Sequence, residues 1–239
     1  LLDTPGLFDF SGEVYEALSV ADAAVIVING KSGVEVGTRR SFDFCAKKGI
    51  PVIVYITCVE DEHVDASAIV DELRESYGNK IVPFHMPMKE DGVFKGFINA
   101  VKMLECRLQP NGSYDEVVVE EGVNDELDDY RMQLMEGVAE TSEDLMEKFF
   151  AEEPFTEEEI KNAIIGSVAR RDLMPVICGA INTDYGANIL LNDMVKYFSA
   201  PGMVTDQFTG TKVKTGEPVT ASYDASQPVS AYVFKTIAD

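Results

Sequence analysis

The sequence predicts an α/β fold, an open and mostly parallel sheet with helices on its faces, and three observations carry that prediction. Two nearly continuous apolar runs rich in β-branched residues, Ala23 to Asn29 and Ile50 to Ile56, suit strands buried on both faces. Between them, Thr38 to Lys48 offers Phe42, Cys45 and Ala46 on one side and Arg39, Arg40, Lys47 and Lys48 on the others, a crossover helix stopped by Gly49. The buried-strand pattern returns at Met174-Pro175-Val176-Ile177-Cys178-Gly179. Ligands of such folds sit beyond the carboxyl ends of the strands.

Taken in order, Leu1-Leu2 suits the tail of a strand and Asp3-Thr4-Pro5-Gly6 the loop at its end. Gly12 to Val20 suits a helix with Val14, Ala17 and Leu18 turned to the sheet, and Asp65 to Ser76 another through Ile69, Val70 and Leu73. After Gly78 the rhythm changes. Ile81 to Pro87, Phe94 to Leu108 and Glu116 to Val119 suit strands, with polar turns at Lys89 to Gly92 and Pro110 to Gly112. From Asn124 the spacing is helical, with Leu127, Tyr130, Leu134 and Val138 in one stretch and Leu145, Met146 and Phe149 in the next. Thr156 and Glu159 make the polar-cap-plus-acid signature of a third helix through Ile160, Ala163 and Ile164.

Because Met174 to Gly179 and a helix over Ile189 to Phe198 resume the first pattern, residues 79–170 form an inserted α+β subdomain. Residues 1–78 and 171–200 then make the α/β domain. Residues 201–239 make a linker rich in Thr and Gly that ends in an alternating strand, Val229 to Lys235. A lone strand cannot bury its own face, so this one packs on something or opens a further domain.

A chain of 239 residues that is 46% hydrophobic can bury a substantial core. It contains no run of 18 apolar residues and no leader-like start, so no membrane partner is expected and a cytoplasmic origin is the default. A net charge of −22 opposes unaided, sequence-specific nucleic-acid binding. Between Asp115 and Glu159 stand eighteen acidic residues against Arg131 and Lys148 alone, as a solvated surface or as a face for a basic partner. Cys45, Cys58, Cys106 and Cys178 have no C-x-x-C spacing, and with only two histidines a zinc site is not expected.

Asp3-Thr4-Pro5-Gly6, Asp9-Phe10, Glu13-Val14, Gly33-Val34, Phe94-Lys95-Gly96 and Met174 to Gly179 together resemble translation elongation factor G, inserted subdomain included. The resemblance covers essentially the whole chain, from the switch II loop to the first strand of a following β-barrel domain. It implies a P-loop-GTPase-like sheet lacking its N-terminal strand and P-loop. Strands beside that missing strand would carry unpaired backbone groups, so either an intermolecular contact or reduced stability is expected. It further implies GTP or GDP and magnesium as cofactors, and the ribosome or its stalk proteins as partners.

Carried over residue by residue, Asp3 would reach magnesium through a water and the Gly6 N–H would meet the terminal phosphate, with Thr4 and Pro5 completing that loop. Leu7 stands where the family has the histidine that positions the attacking water, and an isobutyl group cannot orient water. Neither His63 nor His85 aligns with that place; both read as surface or core histidines. The family's Asn-Lys-x-Asp base-recognition motif aligns with Thr57-Cys58-Val59-Glu60, and its Ser-Ala loop with Ala180-Ile181 after Gly179. Every specific residue has changed, with Glu60 keeping a carboxylate one methylene longer, so the expected activity is a weak or absent GTPase with nucleotide and magnesium unbound by this stretch. Gly30-Lys31-Ser32 follows a later strand without the preceding glycine of a P-loop and reads as a chance match. Two readings stay open: a diverged translation GTPase, or a non-enzymatic module that binds a partner through the acidic insertion. An unrelated α/β enzyme would need a nucleophile set that is not legible here.

Overall fold

A computed structural model of the chain describes residues 1–109, 113–180, 185–200 and 207–237. The elements run α1 (Ser11–Leu18), β1 (Ala24–Asn29), α2 (Val36–Lys48), β2 (Val52–Thr57), α3 (Ala66–Tyr77), β3 (Ile81–Glu90), β4 (Val93–Asn99), β5 (Leu104–Leu108), β6 (Tyr114–Val118), α4 (Asp125–Ala139), α5 (Glu143–Phe150), α6 (Glu157–Arg170), β7 (Met174–Cys178), α7 (Ala187–Tyr197), β8 (Gln207–Thr211) and β9 (Pro218–Ser222). Two units form, Ala23–Phe198 and, by itself, Leu1–Asp22 with Ser199–Asp239.

The larger unit holds one seven-stranded sheet in the order β1-β2-β7-β3-β4-β5-β6. The three pairings from β1 to β3 are parallel and the three from β3 to β6 are antiparallel. The sheet is therefore mixed, not mostly parallel. The physical reason is β3: it runs parallel beside β7 through Ile81↔Met174 and Pro83↔Val176, so the strands read as an insertion extend the main sheet. β2 and β7 are buried on both faces as their composition requires, whereas β1 alternates and leaves Val27 59% exposed.

Local chemistry explains the helix limits. Asp65, Asn124 and Ser142 each accept the backbone N–H three residues on, and Thr156 with Glu159 closes a reciprocal capping box. Gly49 ends α2 in the left-handed conformation. Helix α4 buries Leu127, Tyr130, Leu134 and Val138, and Arg74 of α3 ties the two helices by donating to Glu136 at 2.5 Å and to the Ile81 carbonyl at 2.9 Å.

The run Phe94 to Leu108 is two strands, because Asn99 accepts the Lys102 N–H at 3.0 Å and Met103 takes a φ of 53° to make a turn. Arg131 of α4 holds that turn through the carbonyls of Ala100 and Val101. The expected turn at Pro110 to Gly112 lies outside the described residues.

In the smaller unit, residues 1–6 carry no helix or strand, so Leu1-Leu2 is not a strand tail there. Helix α1 buries only Ala17, and its Glu13 pairs with Lys235 at 3.1 Å. Val229 to Lys235, expected as a strand, has no ladder partner among the described residues. The hairpin here is β8–β9, within the stretch read as a linker. No helix among the described residues is long and apolar enough to cross a membrane.

Candidate functional site

Three parallel strands, β1, β2 and β7, end on one side of the sheet, and the loops that leave them are joined by backbone contacts. Gly30 donates to the Thr57 carbonyl at 3.0 Å, and Gly179 donates to the Ile56 carbonyl at 2.8 Å. The Val59 N–H also reaches the Gly179 carbonyl at 3.5 Å, so the loop holding Thr57, Cys58 and Glu60 runs beside Gly179 and Ala180; Ile181 lies outside the described residues.

Their details depart from a ring-binding surface. Thr57 is buried, and its hydroxyl donates back to the Ile28 carbonyl at 3.3 Å. Cys58 takes a left-handed φ of 61°, sparsely populated for a side chain with a Cβ. Val59 is fully buried under this loop. At Gly179 a Cβ would fall 1.8 Å from the Tyr55 hydroxyl, so the end of β7 closes directly over that ring. Ala180 is buried, with its N–H on the Tyr185 carbonyl at 2.8 Å.

Sequence reasoning missed the clasp across these loops. Lys31, set aside as part of a chance P-loop match, ion-pairs with Asp61 at 2.6 Å and so ties the loop after β1 to the loop after β2. The Lys31 ammonium and the His63 N–H hold the Asp61 carboxyl at about 2, below its ordinary 3.8. A depressed folded-state value means that this tether is complete above pH 3.8 and is lost as pH falls through about 2. Amide exchange at Val59 and Val64 is expected to accelerate over that window, and Asp61→Asn to show the fast exchange at every pH. A lysine after a strand and an acid after the next parallel strand was the available signal.

Beside this loop a cavity of about 250 Å³ is lined by His63, Ser67, Lys89, Glu126 and Tyr130 among others. Lys89 is spent on the loop itself, donating to the carbonyls of Asp61 and Val64 at 2.7 Å each. His63 is 83% exposed by its side chain, whereas His85 is a core residue 3.2 Å from Asp193 of α7. Cys45, Cys106 and Cys178 are buried and Cys58 half-buried, all as free thiols; burial pushes the Cys45 thiol up to about 11.

In the other unit Asp3, Gly6 and Leu7 are exposed and Thr4 and Pro5 half-buried. A Cβ on Gly6 would meet no atom within 4 Å, so packing places no demand for glycine there. Among the described residues no group of three or more His, Cys, Asp or Glu side chains could hold a metal ion directly. A lone carboxylate such as Asp3 fits only the water-mediated role, in which phosphate oxygens and waters supply the other ligands of magnesium.

Among solved structures, the chain is similar to one described as a crystal structure of ttk003000868 from Thermus thermophilus, with 29% identity and a TM-score of 0.75. The likeness covers 87% of this chain and 31% of that one, so this chain spans less than a third of the relative's length. Residues 1–200 match the family model described as the elongation factor Tu GTP binding domain. With that match running from Asp3-Thr4-Pro5-Gly6 through the joined loops after β1, β2 and β7, the chain belongs to the elongation factor Tu GTP binding domain family.

Proposed function

We propose that this chain is a diverged, elongation factor G-like member of the translation GTPases, with guanine recognition and hydrolysis degenerate in the residues seen here. One observation carries the reading: the loop leaving β2 is Thr57-Cys58-Val59-Glu60, and its threonine hydroxyl is turned onto the Ile28 carbonyl. Each hydrogen bond that a guanine ring would leave unmade in a closed pocket costs about 1 to 3 kcal/mol, roughly a five- to 150-fold loss apiece.

In this reading residues 1–78 and 171–200 are the GTPase-like domain, residues 79–170 its inserted subdomain, and residues 201–239 lead into a β-barrel domain. GTP, when bound with magnesium, supplies the phosphoryl group whose hydrolysis drives the family's conformational switch. Asp3 would hold the ion through water, and Gly6 is exposed, so an anion can approach its backbone. The Leu7 side chain has no hydrogen-bonding group with which to orient water, so hydrolysis loses its positioning group. The ribosome or its stalk proteins are the partners in this reading, and the compartment is the cytoplasm.

Calorimetric titration of GDP, with ADP and XDP as controls, into the full-length gene product with magnesium tests this. Absent or unselective binding is expected. Tight GDP binding with ADP and XDP excluded would overturn the reading. A second reading, a non-enzymatic interaction module, is favoured by a separate observation, the eighteen acidic residues against two basic ones between Asp115 and Glu159.

A further inference from the structure

We propose that the outer edge of β6 is a docking edge for an extended, basic segment of a partner protein, which adds to the sheet as an antiparallel strand. The proposal gives a binding mode to the interaction reading of the insertion and does not depend on nucleotide binding.

The ladder itself shows which backbone groups are available. β5 and β6 pair with Leu104↔Val118, Glu105↔Val117, Cys106↔Glu116, Arg107↔Asp115 and Leu108↔Tyr114. Two bonds flank this register, Gln109 N–H to the Ser113 carbonyl at 2.8 Å and Val119 N–H to the Met103 carbonyl at 3.0 Å. In an antiparallel pair the bonded residues alternate, so Asp115 and Val117 spend their N–H and C=O groups on β5. Tyr114, Glu116 and Val118 therefore present theirs to the outer side, where β6 is the last strand of the sheet among the described residues.

Such an edge usually carries something that discourages pairing. Here it carries charge of one sign. Asp115 and Glu116 are exposed, and among the described residues neither makes an ion pair. Arg107, opposite Asp115, has its guanidinium on Glu105 at 2.7 Å and Glu90 at 3.1 Å, and among the described residues Asp115 takes a neutral side-chain donor, Gln109, at 2.7 Å. Next to these acids Val117 is 46% and Val118 76% exposed, one on each face of the strand.

This pattern selects among occupants. A second copy pairing over all five residues would be centred on Glu116, setting that carboxylate against itself and Asp115 against Val117, and like charges directly opposite are destabilising. A chain of net charge −22 also repels its own copy. The complement is an incoming strand that reads, in its own direction, two apolar residues and then two Lys or Arg. That order places apolar side chains opposite Val118 and Val117 and cations opposite Glu116 and Asp115, with backbone bonds to Glu116 and Val118.

The test uses a peptide, Thr-Val-Val-Lys-Lys-Thr, with Thr-Val-Val-Glu-Glu-Thr as its control, and reads amide exchange across the ¹⁵N-labelled full-length protein. Saturable protection of about tenfold is expected at the Glu116 and Val118 amides with the basic peptide only. Glu116→Pro removes an outward N–H while sparing the bonds to β5, so it should abolish that protection with β4 and β5 amides unchanged. Asp115→Lys with Glu116→Lys should transfer binding to the acidic peptide. Basic-peptide binding that survives Glu116→Pro would overturn the edge and leave a general acidic contact standing. Equal binding of both peptides would overturn the charge selection, and no saturable binding would overturn the docking edge altogether.

Discussion

Gly96→Ala is expected to cost about 3 to 5 kcal/mol of unfolding free energy, a large share of the 5 to 15 available to a typical domain. Gly96 sits in β4 with a φ of 149°, and a Cβ there would fall 2.0 Å from the Cys106 carbonyl oxygen and 3.2 Å from the Arg107 Cα. Those atoms are backbone of the neighbouring strand and cannot swing aside. Either β4 twists away from β5 or the Gly96↔Arg107 pairing opens, and β6 hangs on β5 alone within the sheet. Urea unfolding measures the loss, and a shift under about 0.5 kcal/mol, the range of a neutral surface change, would refute it.

Leu134→Ala is expected to cost about 2 to 5 kcal/mol through the cavity it leaves. Leu134 is fully buried on α4, the helix that covers β3, beside Leu127 and Val138. Its effect should not stay in the insertion. β3 is bonded to β7, β7 to β2, and Val59 and Gly179 lie at the ends of those strands. A single calorimetric transition at lower temperature is expected for residues 23–198, with exchange at the Val59 and Gly179 amides rising alongside that of α4. Two separated transitions would mean that the segment from β3 to α6 melts on its own.

What the sequence made legible was what short-range chemistry decides. Asp65, Asn124, Thr156 with Glu159, and Gly49 mark helix ends because each satisfies backbone groups within four residues of itself. The apolar runs at β2 and β7 mark buried strands for the same reason of composition. The turn between β4 and β5 was not legible, since Ala100-Val101-Lys102-Met103 contains no Gly or Pro and its geometry depends on Asn99 and on Arg131 from a distant helix. Nor could periodicity show that β3 would lie beside β7, a pairing across more than eighty intervening residues. Val229 to Lys235 has the alternation of a strand, but alternation specifies a face and not a partner.

At the candidate site, alignment placed Thr57, Cys58, Glu60, Gly179 and Ala180 at strand ends that the fold does bring together. It could not supply the Thr57 bond to Ile28, the Tyr55 ring beneath Gly179 or the Lys31–Asp61 clasp, each of which joins segments remote in sequence.

The position of β7 has a consequence for how the protein is made. It lies inside the sheet, between β2 and β3, yet it is the last of the seven strands to leave the ribosome. Until Met174 to Cys178 emerges, β2 and β3 each carry a strand edge whose N–H and C=O groups lack their partner, and their joining must wait for a long-range closure. Synthesis that stops short of β7 thus yields not a smaller domain but two sticky halves, the form most open to aggregation and to capture by chaperones.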